Sequence, residues 1–154
     1  MFSKKHNKEI KQLFFTSFGK SMSIHKSKNG NSVKWLNYPT NVKDIYFRIQ
    51  CNKSSASIFI DIQHRDEEIR KLFYEQFLEL KILFKNKIGD NWTWQNSFVN
   101  EVDKKCCRIS RTIDNVNINN KETWSISFNF YKENLIKLDA FWVEFSDLFK
   151  ELND

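Results

Sequence analysis

The stretch DEEIRKLFYEQFLELKILF, from Asp66 to Phe84, decides how the fold is read. At helical spacing it sets Ile69, Leu72, Phe73, Phe77, Leu80 and Phe84 on one face, the pattern of an amphipathic helix. Asp66 stands where an N-cap belongs, and Glu67 and Glu68 meet the positive end of the dipole. Two other stretches share the signature. Glu9, Ile10, Leu13, Phe14 and Phe18 precede Glu68, Ile69, Leu72, Phe73 and Phe77 by 59 residues, and Phe141, Trp142, Phe145 and Leu148 follow Phe73, Tyr74, Phe77 and Leu80 by 68. Three helices are therefore expected: roughly Asn7 to Ser21, Asp66 to Phe84, and a closing helix over about 134–152.

Between them lie alternating or β-branched runs bounded by turn residues. Val33 to Tyr38 reads as a short strand stopped by Pro39. Asp44 to Cys51 and Ser57 to His64 read as a hairpin around Asn52, Lys53 and Ser54. Trp92 to Phe98, Lys105 to Ile113 and Thr123 to Tyr131 follow, the last after an Asn-rich loop. Trp94 stands 59 residues after Trp35, Arg108 and Ile109 stand 60 after Arg48 and Ile49, and Ile126 and Phe128 stand 68 after Ile58 and Ile60. The expected fold is α+β, an antiparallel sheet of about six strands with three helices on one face, in the order α-βββ-α-βββ-α. The offsets point to an internal duplication, with pseudo-repeats at about 7–64 and 66–131.

Composition bounds the rest. A chain of 154 residues, 40% hydrophobic and 16% aromatic, is one domain with an ample core. Three glycines and one proline leave little material for phosphate-cradling loops. Cys51, Cys106 and Cys107 are an odd number without CxxC spacing, read as reduced, small buried residues. The start carries charge but no apolar h-region, and no run approaches the roughly 20 apolar residues that span a bilayer. The expected setting is cytoplasmic, with no membrane partner, cofactor or metal.

The formal charge of +6 is unevenly placed. Residues 1–34 hold eight lysines against the single Glu9, which is +7, and the remainder carries −1. Lys20, Lys26 and Lys28 lie in this segment, which is either a solvated lysine surface or a patch facing an anion.

Strand parity separates two sheet faces. Ile45, Phe47, Ile49, Cys51, Ile58, Ile60 and Ile62 share one, and the helices are expected to cover it. The other holds Tyr46, Arg48, Gln50, Phe59, Asp61 and Gln63, with Arg108, Ser110 and Thr112, and with Ser125, Ser127 and Asn129 from the last strand. On that open face Tyr46 and Phe59 offer stacking surfaces, Arg48 and Arg108 can grip phosphate or carboxylate, and Asp61 lies among them. Trp35 extends the candidate binding surface, unless it belongs to the core.

Catalytic patterns are thin. The acid, any residue, lysine triplet of a restriction-type nuclease occurs as Glu79, Leu80, Lys81, inside a helix, whereas the matching strand reads Asp61, Ile62, Gln63. His64 and Asp66 have the makings of an acid–base pair or of a helix cap. Three functional classes compete: a non-catalytic module binding DNA or RNA, a protein-interaction or homodimerising module that buries the sheet face, and a hydrolase using His64 and Asp66.

Five strings occur together: FFTSFGKSM, WLNYPTNVKDIYFRI, IDIQHRDEEIRKLFYEQFLELK, WTW and LDAFWVEFSDLF. As a set they resemble a bacterial family, domain of unknown function 4268, over nearly the whole chain. The pattern carries over Trp35, Tyr38, Lys43, Tyr46, Arg48, His64, Arg70, Trp94 and Arg108 as matching positions, without assigned roles. The resemblance implies a domain found alone or after a nuclease-like module, hence an accessory or target-recognition role linked to nucleic acid in a restriction or defence context.

Overall fold

The computed structural model describes residues 3–153. Its elements are helix α1 (Lys4–Met22), strands β1 (Ile45–Cys51) and β2 (Ser55–Ile62), helices α2 (Glu67–Glu79) and α3 (Lys81–Ile88), strands β3 (Thr93–Val99) and β4 (Lys105–Asp114), and helix α4 (Trp124–Lys150). The strands form one antiparallel sheet in the order β1-β2-β4-β3. The fold is α+β, with four strands and four helices rather than the six and three expected.

Two of the expected strands are something else. Residues Val33–Tyr38 contain a single 3-10 turn, Trp35–Asn37. Its side chains are tied elsewhere: Trp35 Nε1 donates to the His25 carbonyl at 3.0 Å and the Tyr38 hydroxyl to Asp139 at 2.6 Å. Residues Thr123–Tyr131 begin α4. The alternation of Trp124, Ile126, Phe128 and Phe130 coincides with a helical stripe, Trp124, Ser127, Tyr131, Leu135 and Leu138, and burial follows the stripe, leaving Ile126 52% exposed. The order is thus α-ββ-αα-ββ-α.

The duplication loses its support with those strands. The 68-residue offset now pairs β2 with a helix, Trp35 and Trp94 sit in a turn and a strand, and Arg48 and Arg108 sit on an edge and an inner strand.

The central helix forms where expected. Asp66 Oδ1 accepts from the Glu68 amide at 2.9 Å, capping α2. At Leu80 the amide is shared between Gln76 and Phe77 carbonyls, at 3.3 and 3.1 Å, and this tight turn divides α2 from α3. No Gly or Pro marks the interruption. The apolar stripe continues across it through Phe77, Leu80, Phe84 and Ile88, all buried, whereas Leu72 is 42% exposed and Tyr74 takes its place.

The hub of the core is α4, 27 residues long. Its Trp142 meets Phe47 of the sheet and stacks on Phe77 of α2, its Phe141 meets Phe84 of α3, and its Trp124, Phe128 and Tyr131 surround Phe14 of α1. Rings at centroid distances of 5.1–6.3 Å bind all four helices together. Truncating one such buried ring to alanine costs about 3–5 kcal/mol. The helices and the sheet residues Ile45, Phe47, Ile58, Ile60, Ile62, Cys107 and Ile109 share this core, so the helices cover one sheet face. Among the described residues no helix is long and apolar enough to cross a membrane.

Candidate functional site

On the face away from the helices, register sets Asp61 directly opposite Arg108. Arg108 Nε and Nη2 donate to Asp61 Oδ1 and Oδ2 at 2.7 and 2.8 Å, and Nη1 and Nη2 donate to Glu101 at 2.9 and 3.3 Å. The guanidinium lies 3.9 Å from the Phe59 ring centroid and 4.4 Å from that of Phe98. Both ion-pair partners are buried, Arg108 to 5% exposure and Asp61 to 1%. Burial by itself lowers the pKa of Arg108, and the bonds from Asp61 and Glu101 outweigh it and raise it. The hydrogen bond from Arg108 holds Glu101 down at about 2.

This arrangement stitches β2, β4 and the β3–β4 turn. Its donors face carboxylates and its stacking faces are covered by phenylalanine, so Phe59, Asp61 and Arg108 form an interior ion pair on the open side of the sheet. Asn100 shapes the turn that brings Glu101 over it, its Oδ1 accepting from Val102 and Lys104 amides at 3.1 and 2.9 Å.

Tyr46 and Arg48 are placed differently. Arg48 is exposed, its guanidinium 4.4 Å from the Tyr46 ring centroid. Just before β1 stands Asp44, whose carbonyl accepts from the Gln63 amide at 2.8 Å. There the face opens into a cleft that crosses the end of the sheet. Lys43, Asp44, Gln63, His64, Arg65 and Lys104 line a cavity of about 190 Å³, and Arg65 and Lys104 also line a neighbouring one of about 420 Å³ with Glu67, Arg70, Asp103 and Lys105.

Local chemistry fixes these walls. Asp44 and Asp103 take left-handed backbone conformations, φ 66° and 60°, that Asp tolerates better than most residues. Arg70 Nη1 donates to the carbonyls of His64 and Arg65 at 2.8 and 2.9 Å and clips the β2–α2 loop. His64 Nδ1 accepts from the Asp66 amide at 3.0 Å, and Asp66 is the α2 cap. Both members of the proposed acid–base pair thus serve the backbone of this loop. Lys43, Arg65, Lys104 and Lys105 form no ion pair among the described residues. Four cations outside any ion pair converge from two loops and the start of β4, which are far apart in sequence.

Sequence reasoning missed three of these four. Arg65, Lys104 and Lys105 fall outside the basic N-terminal segment, and only the hairpin and the β2–α2 turn bring them together. A usable signal existed for Lys104 and Lys105, which stand at the start of β4 beside the turn residue Asp103. The adjoining cavity of about 320 Å³ is lined by Arg70, Lys71, Lys105, Cys106 and Cys107. Burial pushes the two thiols up, Cys106 to about 12 and Cys107 to about 11, which disfavours the thiolate of both at neutral pH. No three His, Cys, Asp or Glu side chains converge as metal ligands among the described residues.

The remaining candidates scatter. Lys20 and Lys26 are exposed, and Trp35 is a core residue at 4% exposure. The Lys28 amide donates to buried Asp139 at 2.7 Å, beside Ser27 Oγ at 2.7 Å and the Tyr38 hydroxyl at 2.6 Å. Burial and then Asp139 raise the Tyr38 pKa. Asp139 anchors the loop after α1, and nothing in its sequence neighbourhood signalled that role.

A family model described as "Domain of unknown function (DUF4268)" matches residues 10–146. No curated protein and no solved structure matches the chain.

Proposed function

The chain belongs to the domain of unknown function 4268 family, and from that premise we propose that it is a non-catalytic module that binds the phosphate backbone of DNA or RNA. The observation that carries this reading is the convergence of Lys43, Arg65, Lys104 and Lys105, none of them in an ion pair among the described residues, on two adjoining cavities at the end of the sheet that Asp44, Glu67 and Asp103 also line. Exposed Arg48 over Tyr46 extends the cleft along β1, adding a cation and a ring edge for an unpaired base. Such a row reads charge and backbone spacing rather than sequence, and suits an accessory role beside a module that recognises or cuts the target.

The binding predicted here is steeply salt-dependent. Four phosphate contacts imply a loss of about a hundredfold in affinity between about 50 and 200 mM salt. Replacing Lys43, Arg65, Lys104 and Lys105 together by alanine removes most of that dependence and most of the affinity. Fluorescence anisotropy with short single-stranded and duplex oligonucleotides measures both, with circular dichroism confirming that the variant is folded. A folded variant with wild-type affinity and salt slope refutes the assignment.

A further inference from the structure

Strand β1 ends the sheet, and its outer edge is unpaired. The Asn52 amide donates to Ser55 and the Gln63 amide to Asp44, at 2.9 and 2.8 Å, which assigns the even-numbered residues of β1 to the ladder with β2. Odd-numbered residues therefore point their amides and carbonyls outward. Ile45 shows this directly: its amide donates to Val42 at 3.2 Å and its carbonyl accepts from Thr40 Oγ1 at 2.7 Å, both in the preceding loop. Beyond Ile45 the loop stops, and the backbone groups of Phe47 and Ile49 meet no partner among the described residues.

Natural sheets guard such edges with bulges, prolines or inward charges. The opposite edge, β3, carries a bulge between Gln95 and Phe98. β1 keeps an uninterrupted register over seven residues and carries no proline. Beside its edge run two cavities of about 320 and 360 Å³ that share Phe15 and Ile49. Leu36 and Tyr38 wall the first, and Lys11 borders the second. Helical spacing sets Lys4, Lys8, Lys11 and Phe15 on one stripe of α1, and all three lysines are exposed. The one carboxylate lining this groove, Glu101, is held by Arg108.

We propose that the β1 edge is a docking site for an extended segment of a partner protein, apolar in its middle and acidic at the end that meets Lys8 and Lys11. The segment adds to the sheet as a fifth strand, pairing with the outward groups of Phe47, Ile49 and Cys51. Alternate side chains enter the groove over Phe15, Leu36 and Tyr38, and Lys8, Lys11 and Arg48 select its charge. A second copy of this chain fits less well, because two β1 edges side by side bring these cations against their own kind.

The test uses the full chain and the peptide DEDVTVTV, with a control N-methylated at alternate residues. Amide exchange followed by NMR is expected to slow at Phe47, Ile49 and Cys51 on adding the peptide, and to be unchanged by the control. The double substitution Lys8→Glu, Lys11→Glu changes two exposed side chains of α1 to another good helix former, with circular dichroism checking the fold, and is expected to weaken the peptide by about tenfold or more. Equal binding of the control, or unchanged affinity of the double variant, overturns the proposal. So does protection of these amides in the free chain accompanied by a concentration-dependent dimer in sedimentation, which assigns the edge to a second copy.

Discussion

Removing Asp61 tests whether Arg108 belongs to the interior or to the binding surface. Asp61→Ala deletes two charge-assisted bonds of 2.7 and 2.8 Å and leaves a guanidinium, 5% exposed, between two phenylalanine rings. Breaking a buried pair from one side costs about 3–5 kcal/mol, because the surviving charge stays desolvated. Glu101 still holds part of the fork, so the lower end applies, about 3 kcal/mol. For a chain of this size each kcal/mol moves Tm by about 2–4 °C, which predicts a fall of about 6–12 °C. Asp61→Leu with Arg108→Met replaces both charges by apolar groups of similar bulk, and is expected to recover most of the loss. Urea and thermal unfolding followed by tryptophan fluorescence read the stability, and oligonucleotide anisotropy reads the binding, which the double variant is expected to retain. An alanine variant within about 1 kcal/mol of wild type refutes the reasoning. A folded double variant that has lost its nucleic acid returns Arg108 to the ligand.

Glu101 sets an acid limb on stability. Its folded pKa, about 2, lies below the ordinary 4.5, so its contribution is complete above 4.5 and is lost as pH falls from there towards 2. Urea midpoints between these limits are expected to fall less steeply for Glu101→Gln than for wild type, and parallel curves count against the Arg108 contact. Asp139→Ala removes a buried acceptor from three donors, Ser27 Oγ, the Lys28 amide and the Tyr38 hydroxyl. The expected loss is about 3–5 kcal/mol in denaturant unfolding, with increased amide exchange in the loop after α1. A loss confined to that of an exposed substitution removes Asp139 from its anchoring role.

Four strands were legible because each pairs a period of two with turn residues at both ends. Asn52 and Asn100 close their hairpins with side-chain oxygens on backbone amides. Asp66 was legible as a cap because that job is local. What failed was local too, but ambiguous. From Trp124 to Phe130 every second residue is apolar, yet the same letters supply a helical stripe, and the decision came from Phe14 and Phe18 of α1, over a hundred residues away. The open face was read correctly for β1, β2 and β4 but not for Ser125, Ser127 and Asn129, which belong to α4, with Ser127 buried. Parity set Phe59, Asp61 and Arg108 together, but not the turn that folds Phe98 and Glu101 over them. The cationic cleft was harder to read, because Lys43, Arg65 and the neighbours Lys104 and Lys105 come from three separate places in the chain that only the finished sheet brings together.

The first of the two segments wrongly expected as strands, Val33–Tyr38, explains why the sheet has an open edge at β1. A strand at Val33–Tyr38 would have lain against β1 and closed its edge. Trp35 turns back to the His25 carbonyl instead, Tyr38 reaches Asp139 on α4, and Thr40 takes up the carbonyl of Ile45. The loop is thereby pulled onto the helix layer after satisfying only the first outward residue of β1. Asp139 is the residue that decides this, since it lies more than a hundred residues beyond that loop, buried in a helix whose inner face is mostly apolar, and its carboxylate gathers the loop through three short bonds. Releasing that carboxylate frees the loop to compete for the edge. The Asp139→Ala variant is therefore expected to lose stability and, in its folded fraction, to bind the acidic strand peptide more weakly than wild type, a coupling that a purely structural anchor remote from β1 does not produce.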